Sequence, residues 1–192
     1  MSRVKLTDRD VQIIDFLKNN KCADTMTLSN IFFNGSLRSC QHRLKKLVDN
    51  GDLKVFRENI LSQNIYYTKK KPSSYKHALK VTQFIAELHK LGIEILKIKT
   101  PYAIGNMIAD SLIVCRVNGD VKILWLEVEL SKFFNITKYE NLHYSRKWKE
   151  VLPTFGSIIV VTDKKVKTNN KFNIIKIKTD FSNIDDLLRH LL

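Results

Sequence analysis

The segment Ser36–Leu53, SLRSCQHRLKKLVDNGDL, constrains this chain more than any other stretch. On a helical wheel of about 100° per residue, Leu37, Cys40, Leu47 and Val48 fall within about 60° of Leu44. Arg38, Ser39, His42, Lys45 and Lys46 fall on the other side. One face is therefore built to pack on a small core, and the other to meet something negative. Asn50-Gly51 closes the helix as a turn signal, and apolar residues from Leu53 begin a strand.

The neighbours of this helix narrow its reading. Thr7–Asn19 opens with Thr7 as an N-cap and acids in the first turn, and Val11, Ile13, Ile14 and Leu17 supply an apolar stripe. After a connector over Lys21–Asp24, Thr25 or Thr27 caps a short second helix with Met26, Leu28, Ile31 and Phe32. Asn34-Gly35 turns into the third, which Ser36 caps. Three helices in about 45 residues, the third amphipathic and basic, describe a helix-turn-helix. Strands near Leu53–Val55 and Ile65–Tyr67 flank a polar tip over Arg57–Asn64, the pattern of a wing. The reading is a winged helix-turn-helix DNA-binding domain over residues 1–71, ended by the TKKKPSS linker at Thr68–Ser74. Its candidate DNA contacts are Arg38, Ser39, His42 and Lys46 toward the bases, Arg43 and Lys45 toward phosphates, and Arg57, Asn59 and Asn64 on the wing.

Charge supports a polyanionic partner. The net charge is +14 over 192 residues, and the first 92 residues carry 17 Lys/Arg against 8 Asp/Glu. No apolar run approaches the roughly 20 residues that span a bilayer, and MSRVKLTDRD carries no signal-peptide h-region. The expected location is cytoplasmic, with no membrane partner. Cys22, Cys40 and Cys115 are scattered singly, which argues against a disulfide framework or zinc site and for small buried side chains. No P-loop, GxGxxG, GxSxG or HExxH motif is present.

The second half, residues 72–192, changes pattern. A helix over Ser74–Leu91 stops at Gly92. Strands follow over Ile93–Lys99, Met107–Arg116 and Val121–Leu130, the last two joined by a hairpin signal at Val117-Asn118-Gly119-Asp120. A helix over Asn135–Trp148, strands over Ser157–Val161 and Ile174–Lys178, and a helix over Ile184–Leu192 complete a mixed α/β domain, so the whole chain reads as α+β. The Asn118-Gly119 turn places Asp110 opposite Glu127, and Glu127 and Glu129 on one face of their strand. Two or three acids on a sheet face can hold Mg2+ or Mn2+ and activate water for phosphodiester hydrolysis, with Lys132 or Lys138 stabilising the developing charge.

The series IAD, a hairpin, WLEVELSK and a helix beginning TKYENL resembles the PD-(D/E)XK nuclease-like core. The resemblance puts Ala109 at the family's proline, Asp110 and Glu127 at its metal ligands, and Glu129 at its catalytic lysine. Lys132 or Lys138 would then be a migrated lysine. Glu129 cannot stabilise an anion, so the implied domain is catalytically degenerate and needs no cofactor. The whole chain, through LTDRDVQIIDFL, RLKKLVDNGDL, KHALKVTQFIAEL, MIADSLIV and LEVELSK…KYENL, is similar to the replication-relaxation family of bacterial plasmids, phages and integrative elements.

That similarity implies a double-stranded-DNA-binding accessory factor or regulator in replication, conjugative transfer or transcription. Two alternatives stand beside it. One is a metal-dependent endonuclease using Asp110 and Glu127. The other is an adaptor that recruits a relaxase, a replication initiator or a second copy of the chain, through surfaces near Trp125, Phe133, Phe134 and Trp148.

Overall fold

Thr7 fixes the start of the first helix, α1 (Asp8–Asn20), by reciprocal capping: its hydroxyl accepts the Asp10 N–H, and its own N–H donates to Asp10 Oδ2 at 2.7 Å. The computed structural model describes residues 5–191. A short strand, β1 (Ala23–Asp24), runs into α2 (Thr25–Phe32). The cap of α2 is Asp24, not Thr25 or Thr27, because its Oδ1 is the acceptor for the Thr27 N–H at 2.7 Å.

The third helix, α3 (Leu37–Asp49), buries Cys40, Leu44 and Leu47. They pack with Ile13, Leu17, Leu28, Phe33, Leu53 and Tyr66, and Val48 leans on the same core. Leu37 departs from the expected seam and is 38% exposed. It is the first helical residue, so the seam reaches the core only at Cys40, about one turn later. Ser36 precedes the helix, but its hydroxyl turns to Ser39 Oγ at 3.0 Å.

Strands β2 (Lys54–Phe56) and β3 (Ile65–Tyr67) follow and pair antiparallel, Val55 opposite Tyr66. β1 pairs with the other edge of β3, which gives a three-stranded sheet in the order β1-β3-β2. The next helix, α4 (Tyr75–Lys90), packs against α2 and β1, and Gln83 Nε2 donates to Asp24 Oδ2 at 2.7 Å. The chain therefore divides into compact units after Lys90, whereas the TKKKPSS linker suggested a boundary after Lys71. The reason is the apolar face of α4 (Ala78, Val81, Phe84, Ile85 and Leu88), which is buried.

The second unit is built on a five-stranded mixed sheet in the order β10-β9-β8-β7-β4. Its strands are β4 (Glu94–Lys99), β7 (Ser111–Val117), β8 (Asp120–Val128), β9 (Ser157–Val161) and β10 (Ile174–Ile177). β7 runs antiparallel to both of its neighbours, β4 and β8, while β9 and β10 run parallel to β8. A separate hairpin pairs β5 (Tyr102–Ile104) with β6 (Met107–Ala109). The long apolar run expected as one strand is thus two, β6 and β7, broken at Asp110.

Helix α5 (Thr137–Ser145) is shorter than expected, because Arg146 adopts φ +58° and a 3-10 turn over Lys147–Glu150 replaces its end. The last helix, α6 (Asp186–Leu191), stays within the expected span; Leu192 lies outside the described residues. Trp125 and Tyr139 centre the core of this unit with Leu112, Leu142, Ile158 and Val160. The overall class is mixed α+β. Among the described residues, no helix is long and apolar enough to cross a membrane.

Candidate functional site

The first candidate surface is the outer face of α3. With Cys40, Leu44 and Leu47 turned inward, Arg38, Ser39, His42, Lys45 and Lys46 all stand exposed. The helix presents this row because its apolar and basic residues recur on opposite sides of a 3.6-residue turn.

Arg43 does not belong to that row. Its Nε donates to Asp10 Oδ1 at 2.8 Å, its Nη2 bonds Asp10 Oδ2, and Nη2 also reaches the Lys5 carbonyl at 3.2 Å. Asp10 is fully buried. Burial pushes its carboxyl up, but the Arg43 and Thr7 bonds outweigh that and hold it at about 2. Arg43 ties α3 to the start of α1, so its guanidinium is engaged within the protein and not presented with the exposed row.

The β2–β3 hairpin also differs from the expected open polar tip. The Arg57 Nε donates to Asn64 Oδ1, and the Asn64 Nδ2 donates to the Tyr66 hydroxyl at 3.2 Å. Asn59 Oδ1 accepts the N–H groups of Leu61 and Ser62. Gln63 Oε1 accepts the Met26 N–H at 3.0 Å, and the Asn64 carbonyl accepts the Thr25 N–H at 3.1 Å. The wing residues named from sequence therefore build the hairpin and anchor it to the start of α2, while Ile60 and Leu61 project from its end.

A second constellation lies in the second unit. The β7–β8 register pairs Ser111 with Leu126, so Asp110 and Glu127 are next in line. Asp110 leaves the sheet between β6 and β7, and its Oδ2 accepts the Val128 N–H at 2.7 Å. Glu127 is 2% exposed. Its Oε1 accepts the Tyr139 hydroxyl at 2.5 Å and lies 2.7 Å from Lys138 Nζ. Lys138 also donates to the Ile108 carbonyl at 3.1 Å.

Burial pushes the Glu127 carboxyl up to about 7; Lys138 and Tyr139 oppose the rise, and the Asp110 charge adds to it. Burial, then the Glu127 carboxylate, pushes the Tyr139 phenol well above its ordinary value. Of the two lysines left open by the sequence, Lys138 is the one on the cluster, and Lys132 is exposed in the connection to α5. Glu129 lies one residue past β8, where its N–H donates to the Val161 carbonyl at 3.0 Å and its carbonyl accepts from Thr162 Oγ1 at 2.8 Å.

Tyr139 belongs to this cluster as well as to the core around Trp125. A buried tyrosine needs a partner for its hydroxyl, and an acid on the facing strand was the available one. The same four groups bear on metal binding. One oxygen of Asp110 takes a backbone N–H, and one oxygen of Glu127 takes a phenol and an ammonium. Among the described residues, no group of three or more His, Cys, Asp and Glu side chains is placed to hold a metal ion. One oxygen of each carboxylate is thus already engaged within the protein.

The cysteines are inert in the same structural sense. All three are buried, and burial pushes the thiols of Cys22 and Cys40 up to about 12 and of Cys115 up to about 11. Trp125 and Trp148 are core residues and Phe134 packs on that core, which leaves Phe133 exposed among the aromatic residues suggested as a docking surface. No family model matches the chain, and it matches no curated protein and no solved structure.

Proposed function

We propose that the protein binds double-stranded DNA through a winged helix-turn-helix, with α3 as the recognition helix and the β2–β3 hairpin as the wing. The observation that carries this is the exposed row Arg38, Ser39, His42, Lys45 and Lys46 on a helix whose opposite face buries Cys40, Leu44 and Leu47. The element order α1-β1-α2-α3-β2-β3 and the sheet order β1-β3-β2 support it. A helix of this kind enters the major groove, where Arg and Lys read guanine and Ser or His reads neighbouring edges. The resemblance to the replication-relaxation family suggests the setting, an accessory or regulatory role on a mobile element.

The test is duplex affinity of the Arg38→Ala/Lys46→Ala double variant across salt concentrations. Wild-type affinity should fall steeply with salt. The variant should bind at least tenfold more weakly at low salt, with the log–log slope reduced by about 2. Equal affinity and slope would remove α3 as the contact.

A second reading, a metal-dependent endonuclease, has one specific support: Asp110, Glu127 and Lys138 meet where the PD-(D/E)XK resemblance requires two acids and a displaced lysine. Engagement of Glu127 by Lys138 and Tyr139, and the acid at Glu129, weigh against it. Incubating supercoiled plasmid with Mg2+ or Mn2+ separates the two. Cleavage that disappears in Asp110→Ala would establish the nuclease; intact plasmid keeps the cluster structural.

A further inference from the structure

The most exposed apolar side chains in the described chain are adjacent: Ile60 at 90% and Leu61 at 97%. Single exposed aliphatic residues are common and need no explanation. This pair differs because the structure beneath it is fixed. Asn59 closes the turn with its side-chain oxygen on two N–H groups, at 3.1 Å to Leu61 and 2.9 Å to Ser62. Arg57 is held by Asn64, and Glu58 is held by Lys76 at 2.8 Å and by the Tyr75 hydroxyl. Below them Phe56 is edge-on to Tyr67 and Tyr75, with Lys71 Nζ 4.0 Å from its ring centre. Each polar side chain from Arg57 to Asn59 is held by a partner, Arg57 and Asn59 within the hairpin and Glu58 on α4, and the two residues with nothing polar to offer form the point.

We propose that Ile60 and Leu61 form an apolar wedge that inserts between base steps of the bound duplex and unstacks them. The inference rests on the duplex-binding reading above. Charge favours DNA as the occupant over a lipid or a protein face: the unit that displays the tip carries most of the chain's excess of Lys and Arg, and α3 presents a basic row in the same unit. Aliphatic side chains inserted from the minor groove partly unstack a step and kink the duplex by about 20–90°. A rigid tip suits this role, since a mobile one would fold its aliphatic groups back rather than into the stack.

A wedge pays least where the stack is already weakened, so it prefers a duplex with a mismatch. The probe is a 30-base-pair duplex of mixed sequence labelled at both ends with a fluorophore pair, prepared fully matched and with one central T·T mismatch. Wild-type protein should bind the mismatched duplex about tenfold more tightly, and end-to-end energy transfer should rise on binding. The Ile60→Ser/Leu61→Ser variant should melt with the wild type, since both positions are solvent-exposed. It should bind both duplexes alike and leave energy transfer near that of free DNA.

Wild-type binding without mismatch preference or bending would overturn the wedge and leave duplex binding standing. Failure to bind either duplex would overturn both. A serine variant that keeps the preference, or whose only change is a lower oligomeric mass by light scattering, would also overturn the wedge, the latter by assigning the tip to self-association.

Discussion

Lys138 Nζ lies 2.7 Å from Glu127 Oε1, and Tyr139, the next residue along the helix, donates its hydroxyl to the same oxygen. One carboxylate oxygen thus joins strand β8 to the first turn of α5 through two side chains. The interaction is buried on the glutamate side and half-exposed on the lysine side. That asymmetry explains why the Glu127 carboxyl sits near 7: desolvation acts on the acid in full, while the compensating ammonium remains partly in water.

Its consequence is a pH-dependent stability. The unfolded chain ionises this glutamate near 4.5, but the folded chain keeps it protonated to about 7. The contribution of the protonated form is therefore complete below about 4.5 and is lost as pH rises to about 7, on the order of 3 kcal/mol. The Glu127→Gln variant cannot ionise. Its melting temperature relative to wild type should climb between pH 4.5 and 7 and level off above, as read by circular dichroism. A constant difference across that window would show that Glu127 titrates normally.

The turn before β9 supplies a backbone prediction. Gly156 has φ +79°, and a Cβ there would stand 2.2 Å from the Ile123 carbonyl oxygen on β8. Neither the strand nor its carbonyl can withdraw without breaking the parallel pairing of Leu124 with Ser157. Gly156→Ala should cost about 3 kcal/mol or more, or prevent folding of this unit. Gly51→Ala is the contrast. It has a similar φ, +84°, and open space around its Cβ position, so it should cost only about 1 kcal/mol. Denaturant midpoints of the two variants decide it, and equal losses would mean that φ alone matters.

How much of this was legible depends on the range of the interaction concerned. Asp110 opposite Glu127 could be read because a two-residue turn at Asn118-Gly119 fixes the register of everything that follows it. The break at Asp110 could not, because Met107–Arg116 is apolar on both sides of it and a strand buried on both faces has the same signature. Amphipathicity revealed which face of α3 packs, but not the fate of Arg43, whose partner is 33 residues away. The wing tip was read as polar from its overall composition. Only the folded turn shows Asn59, Arg57 and Asn64 bonded inward and the aliphatic pair outward.

Arg43 gives the sharpest distinction between a basic residue that holds the fold and one in the exposed row proposed to meet DNA. Its guanidinium is the fork that compensates the buried Asp10 carboxylate, which sits at about 2 although burial alone pushes it upward. With a depressed value, the stabilisation is present above about 3.8, the ordinary carboxylate value, and is lost as pH falls toward about 2. Arg43→Ala leaves the carboxylate buried and uncompensated and should cost about 3 kcal/mol at pH 7, with the loss shrinking as pH falls through that window. Lys46→Ala, on the exposed face of the same helix, should leave the melting temperature unchanged and weaken duplex binding. The expected result is a crossed pattern, stability lost in one variant and affinity in the other, measured by thermal melting and by fluorescence anisotropy with the labelled duplex under folded conditions. If Arg43→Ala melts with the wild type yet binds DNA as weakly as Lys46→Ala, the guanidinium belongs with the basic row on α3 and not with Asp10.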